Sequence, residues 1–215
     1  MLAAAMRTRI DDEMVERACR ALRRRDARLR AVIRRVGPCS VRAAGDPYRA
    51  LLRSVIYQQL AGAAAAAIAM RVKARFGGRF PVPVALIAAR DRDLRADGLS
   101  ARKIATMKEI ARAFDDGRLS NRRLHRMPAD AVIDAVTQIK GIGEWTAHML
   151  LMFSLGHPDI LPVGDYGVRK GAMLLYELTD LPKPAELEAI AEAWRPYRSV
   201  GSWYLWRHLE NPPEG

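Results

Sequence analysis

The chain has 215 residues, half of them apolar, which is enough to bury a substantial core. Lysine and arginine total 36 against 24 acidic residues, and the formal charge of +12 predicts a polyanionic partner, nucleic acid or an anionic membrane surface. No stretch approaches the roughly 18 to 20 uncharged residues needed to cross a bilayer, and the two cysteines, Cys19 and Cys39, exclude a four-cysteine iron–sulfur cluster within one chain.

Those two cysteines fit a reducing interior, and no Cys/His spacing suits zinc. His125, His148, His157 and His208 are scattered. The opening MLAAAMRTRIDDEM has too short an apolar run for a secretory signal and soon turns acidic.

Along the chain almost every apolar pattern repeats at three and four rather than two. Val15, Ala18 and Leu22, then Leu29, Val32, Ile33 and Val36, predict helix up to GPC with a break near Asp26. Leu52, Val55, Ile56, Leu60, Ala63, Ala67 and Met70 predict one further helix closed by RFGG. Pro81 and Pro83 open a short segment with Leu86 and Ile87. Ser100 then caps a helix whose face is Ile104, Met107, Ile110, Ala111 and Phe114. Another follows Pro128, and EWTAHMLLMFSLG continues past two glycines. Asp165 to Leu178, Pro184 to Trp194 and a tryptophan-rich run from about Val200 to His208 complete the set.

This pattern predicts an all-α protein of roughly ten helices. The expected organisation is two helical lobes flanking a DNA-binding cleft. Residues 48–140 would form a central lobe, and residues 1–47 and 141–215 a discontinuous terminal one. A helix-hairpin-helix motif at about 131–154 would mark their junction.

In IKGIGEWTA, Gly141 and Gly143 permit backbone angles and close approaches denied to other residues. Val132, Val136 and Ile139 give the preceding helix a buried face, and Ala147, Leu150 and Leu151 give the following one another. A row of backbone N–H groups between them, at the positive end of the second helix, would seat a DNA phosphate without reading a base. Lys140, Gly141, Ile142 and Gly143 are the candidate phosphate contacts. A plain helix–helix connection explains the glycines as well.

Asp165 precedes YGVRKGAMLLYEL and reads equally as a helix N-cap and as a catalytic acid. The two roles are compatible, because fixing an ionised carboxylate also prepares it to stabilise positive charge. Asp159, in HPDILP, is the rival carboxylate and reads as a brace for its turn. Arg169, Lys170, Arg195 and Arg198 read as DNA-backbone contacts or as solvated helix residues. By periodicity alone Leu60 belongs to the core, and Trp194, Tyr197, Trp203, Tyr204 and Trp206 read as core aromatics.

Five blocks in order, VIYQQLAGAAAAAI, GLSARK, IKGIGEWTAHMLLMF, HPDILPVGDYGVRKG and WRPYRSVGSWYLWR, together resemble the helix-hairpin-helix (HhH-GPD) DNA glycosylase superfamily. The resemblance is closest to its DNA-3-methyladenine glycosylase II branch, in a compact two-lobed form without the N-terminal α/β domain of larger relatives. It implies that Asp165 is the catalytic carboxylate, that Leu60 with Gln59 beside it is the wedge entering the base stack, and that Trp206 and Trp145 line the base pocket. Met149 stands there where larger relatives can carry a tyrosine, a departure that bears on substrate range. Trp145 also matches the position of the lysine nucleophile in glycosylases with lyase activity. A tryptophan cannot form a Schiff base, so excision without strand cleavage is expected.

The resemblance further implies a monovalent cation, Na+ or K+, held by the backbone carbonyls of Thr137, Ile139 and Ile142. No other cofactor is expected. The expected partner is double-stranded DNA containing damaged bases, with no membrane, and the expected state is a monomer. Its place would be the cytoplasm or nucleoid of a bacterium, or the nucleus of a eukaryote. The alternatives are a helix-hairpin-helix module that binds DNA without chemistry, or a glycosylase with lyase activity.

Overall fold

The computed structural model describes residues 10–43, 45–60 and 62–210, and among these it is helical with no β-strand. The first nine residues, part of the stretch where no secretory signal is expected, lie outside the described residues. Two compact units divide the chain, Gly45–Leu150 and Met1–Ala44 together with Leu151–Gly215.

The terminal unit opens with α1 (Asp12–Arg25) and α2 (Ala27–Val36). The break falls at Asp26, whose backbone is extended and whose side chain accepts the Leu29 N–H at 2.9 Å as the N-cap of α2. The same carboxylate accepts from the Tyr176 hydroxyl and from Trp194 Nε1, so it ties the start of the chain to its last third. Val15, Ala18, Leu22, Leu29, Val32 and Ile33 are buried as their spacing predicts.

The central unit carries α3 (Pro47–Tyr57), α4 (Gly62–Arg75), α5 (Pro83–Ala88), α6 (Asp91–Ala96), α7 (Ala101–Asp115), α8 (Asn121–Leu124), α9 (Ala129–Thr137) and α10 (Glu144–Leu150). The single helix expected from Leu52 to Met70 is in fact α3 and α4. Gln59 adopts φ +56°, a left-handed conformation that cannot continue a right-handed helix. The interruption resets the register. The buried face of α4 becomes Ala65, Ile68, Ala69 and Val72, while Met70, expected inside, is 69% exposed.

Helix α7 is the spine of this unit and packs against α3 and α5. Ser100 caps it, accepting the Lys103 N–H at 3.3 Å, and Ile104, Met107, Ile110 and Ala111 are fully buried. Burying each of the three larger side chains contributes about 1.5–3 kcal/mol. The expected Phe114 packs on Tyr48 with ring centroids 5.0 Å apart. Helices α6 and α8, of 6 and 4 residues, are too short to show a helical period and are missing from the sequence reading.

After α10 the terminal unit resumes with a π-helical turn, Leu151–Leu155, then α11 (Tyr166–Tyr176), α12 (Pro184–Ala191), a 3-10 turn (Glu192–Trp194) and α13 (Arg198–Glu210). Its core joins Met14, Leu22, Leu29 and Ile33 to Val168, Leu187, Trp194, Tyr204 and Leu205. Trp194, Trp203 and Tyr204 are core aromatics, as periodicity predicts, whereas Tyr197 and Trp206 are only partly buried against that core.

Candidate functional site

In the central unit, α9 and α10 form the hairpin. Val132 and Val136 of α9 and Ala147 and Leu150 of α10 are buried, and Ile139 and Ile142 bury their side chains within the turn. The Ile142 N–H donates to the Ile139 carbonyl at 2.9 Å and closes the turn. Gly141 lies at φ +98°, and a Cβ there would come within 2.3 Å of Thr106 Oγ1. Both its backbone angle and its close neighbour therefore require glycine. Gly143, Lys140 and Glu144 are exposed at the entrance to α10, where the first N–H groups of a helix lack intrahelical partners.

The carbonyls of Thr137, Ile139 and Ile142 are neutral oxygen donors. That donor type suits an alkali cation. The Ile139 carbonyl already accepts one hydrogen bond and has a second lone pair, so its chemistry is compatible with such an ion. Among the described residues, no group of three or more His, Cys, Asp or Glu side chains is placed to hold a metal.

The loop between α3 and α4 presents Gln59 and Leu60. Both are exposed, Leu60 by 39%, so the periodicity reading of Leu60 as a core residue does not hold. A cavity of about 370 Å³ lies beside this loop, with Tyr57, Gln58, Gln59, Lys103, Gly141 and Trp145 in its wall. Trp145 is 45% exposed on α10, and Met149, one turn further, is partly buried. The structure thus brings the Gln59–Leu60 loop and the glycine turn to one concavity.

In the terminal unit, Asp165 is the N-cap of α11, and its Oδ1 accepts the Val168 N–H at 2.8 Å. Trp206 Nε1 donates to the same oxygen at 2.8 Å. Asp165 is 9% exposed. The approach of the indole depends on Gly167, where a Cβ would meet Trp206 Cδ1 at 2.8 Å. Phe153 backs the indole, with ring centroids 5.9 Å apart. Asp165 and Trp206 therefore form one hydrogen-bonded pair, with Trp206 orienting the carboxylate. Sequence reasoning missed Gly167 and Phe153, although the small residue two places after the aspartate was a visible signal.

Asp159 is held in a different way. It accepts from Arg195 Nη1 at 3.0 Å and from Arg198 Nε at 2.7 Å, and also takes the Arg198 backbone N–H. It braces the entry to α13, whereas the sequence predicts a brace for its own turn in HPDILP. The two arginines are engaged by it, and Arg169 donates to the Pro182 carbonyl at 2.9 Å.

A hairpin closed by glycine and a capped aspartate on the next helix define a class of helical DNA-repair proteins, and residues 52–196 match the family described as HhH-GPD superfamily base excision DNA repair protein. The chain belongs to this family. It is 40% identical over 167 residues to DNA-3-methyladenine glycosylase 1 of Schizosaccharomyces pombe, a match covering 75% of this chain and 72% of that protein. The solved structure of the fission-yeast 3-methyladenine DNA glycosylase in complex with abasic DNA superposes with a TM-score of 0.84 at 33% identity, covering 93% of this chain and 99% of that one. A DNA-3-methyladenine glycosidase from Bacillus halodurans superposes with a TM-score of 0.80 at 36% identity, covering 89% and 88%.

Proposed function

We infer that this protein is a monofunctional DNA glycosylase. It hydrolyses the N-glycosidic bond of alkylated bases, of the 3-methyladenine type, in double-stranded DNA and leaves an abasic site for base excision repair. The observation that carries this reading is the near full-length match to the fission-yeast enzyme bound to abasic DNA, with 33% identity over 93% of the chain.

The residues supply a coherent chemistry. The bond is inaccessible inside a duplex, so the nucleotide must be turned out, at an unpairing cost of a few kcal/mol that is least for damaged bases. Leu60 is the side chain we assign to the gap, with Gln59 beside it. An exposed leucine replaces stacking contacts without demanding a particular base. Trp145, with its exposed ring, and, in the other unit, Trp206 are each an aromatic face of the kind that suits an electron-poor base, with a cation–π component when the base is charged. Met149 offers no aromatic face and is the position we assign to substrate breadth.

As the base departs, the sugar gains oxocarbenium character. The Asp165 carboxylate is the group we assign to stabilising it and to orienting water. An alkylated base that is already cationic leaves neutral, so no strong general acid is needed. Gly141, Gly143 and Lys140 would grip one phosphate through backbone N–H groups and one positive charge, while Ile142, whose N–H donates to the Ile139 carbonyl, holds the turn in shape. A cation on the Thr137, Ile139 and Ile142 carbonyls would place further positive charge behind that grip.

A panel of duplexes with defined alkylated, deaminated and oxidised bases tests the function. Release of alkylated base, with strand cleavage only after alkali, is the expected result. Binding without release would leave a DNA-binding module, and a borohydride-trapped covalent adduct would make the protein a lyase. Lys140→Ala should weaken duplex binding alike on all sequences and lower the salt dependence by about one counterion. A changed base preference at constant affinity would contradict the phosphate role.

A further inference from the structure

The loop that carries Leu60 has an unusual backbone. Gln59 holds φ +56° without being glycine. Such a conformation in an exposed loop persists only when its surroundings over-determine it. The surroundings here are specific. Lys103 Nζ donates to the Ile56 carbonyl at 2.7 Å and to the Gln58 carbonyl at 2.8 Å, among the last acceptors of α3, where a helix favours positive charge. Burial opposes the ammonium and pulls its pKa below the ordinary lysine value, so those two carbonyls are its compensation.

One turn further along α7, Thr106 is 5% exposed and donates from Oγ1 to the Lys140 carbonyl at 3.0 Å. It is the side chain against which Gly141 closes. Residues three apart on a helix share a face, so one face of α7 holds the Leu60 loop with Lys103 and the phosphate turn with Thr106. Gln58 completes the link, its Nε2 donating to the Gly141 carbonyl at 3.2 Å and lying 3.5 Å from Thr146 Oγ1.

We propose that Lys103 is a positioning residue which, with Thr106 and Gln58, locks the Gln59–Leu60 loop to the glycine hairpin, so that seating the hairpin on a phosphate presents Leu60 to the base stack in register. Phosphate grip and wedge then work as one preorganised device, and no loop ordering accompanies insertion. The inference rests on the reading of Leu60 as the wedge.

The test uses the full chain, a duplex carrying one alkylated base next to 2-aminopurine, and four variants: Leu60→Ala, Lys103→Met, Gln58→Met and Lys103→Met with Leu60→Ala. Fluorescence reports flipping, single-turnover rates report excision, and thermal melting reports folding. Lys103→Met should lower flipping and excision by about ten- to a hundredfold, the scale of a misplacement near 1 Å, with affinity for undamaged duplex nearly constant. Gln58→Met should act in the same direction, and it carries the test if Lys103→Met does not fold. A residue that acts through Leu60 loses its effect when Leu60 is gone, so the double variant should be no worse than Leu60→Ala. Additive losses, or full flipping in folded Lys103→Met and Gln58→Met beside impaired flipping in Leu60→Ala, would overturn the proposal alone. Full flipping in Leu60→Ala would remove the wedge reading and this inference with it.

Discussion

Asp165→Asn should abolish most base excision while leaving the fold intact. The substitution is nearly isosteric, and asparagine caps a helix about as well as aspartate. The Val168 N–H and Trp206 Nε1 donate to Oδ1, and an amide oxygen in the same place can accept both. The negative charge is what disappears. If that charge faces a sugar becoming cationic, its removal costs on the order of 10²–10³-fold or more in the single-turnover rate, the scale seen when one preorganised electrostatic partner of a transition state is lost. Duplex affinity should change little, or rise as repulsion from phosphate falls.

Asp159→Asn is the control with the opposite signature. Asp159 binds Arg195 and Arg198 at the entry to α13, so its neutralisation should lower the melting temperature more than it lowers the rate. Near-native excision by folded Asp165→Asn would remove the mechanistic assignment. Equal rate losses in both variants would show that charge in this region acts through the fold.

The two units were unequally legible in the sequence. The first helices of the terminal unit have caps and apolar stripes that agree with each other, so Asp26, Leu29, Val32 and Ile33 fell where spacing put them. The Leu52–Met70 segment failed because an alanine-rich run carries almost no amphipathic signal. Nothing in YQQLAG announced that Gln59 would turn left-handed. A periodicity continued through that turn assigns Leu60 and Met70 to a face that does not exist.

The candidate site was legible where a backbone constraint left a residue-level mark. Gly141 is glycine for two reasons at once, and Asp165 is the residue type that caps a helix. What joins those marks was not legible. Lys103, the last residue of GLSARK, and Thr106 had no role assigned to them from the sequence. Their meaning lies in contacts to residues 34 to 47 positions away, which no local pattern encodes. Trp206 read as a core or pocket aromatic, and only the fold reveals that its indole N–H is spent on Asp165.

The second large effect should come from Gly171→Ala. By helix propensity alone, alanine in the interior of α11 would stabilise the protein by about 1 kcal/mol. The geometry reverses the sign. A Cβ at Gly171 would lie 2.4 Å from the Leu205 carbonyl oxygen and 2.9 Å from its carbon, and these are backbone atoms of α13 that cannot rotate away. The helices must separate, and overpacking of this kind costs about 1–3 kcal/mol. For a chain of this size the melting temperature should fall by roughly 2–10 °C. Gly62→Ala, at the start of α4 where an added Cβ meets nothing within 4 Å, is the steric control and should be neutral or stabilising. The same separation carries Trp206 away from Asp165, because Leu205 and Trp206 are consecutive on α13. Excision by the folded fraction of Gly171→Ala should therefore drop as well, and Gly167→Ala, which presses on the indole instead of the backbone, should lose rate with a smaller loss of stability. A Gly171→Ala protein as stable and as active as the parent would mean that α11 and α13 are not packed backbone to backbone, and the orientation of Asp165 by Trp206 would lose its structural cause.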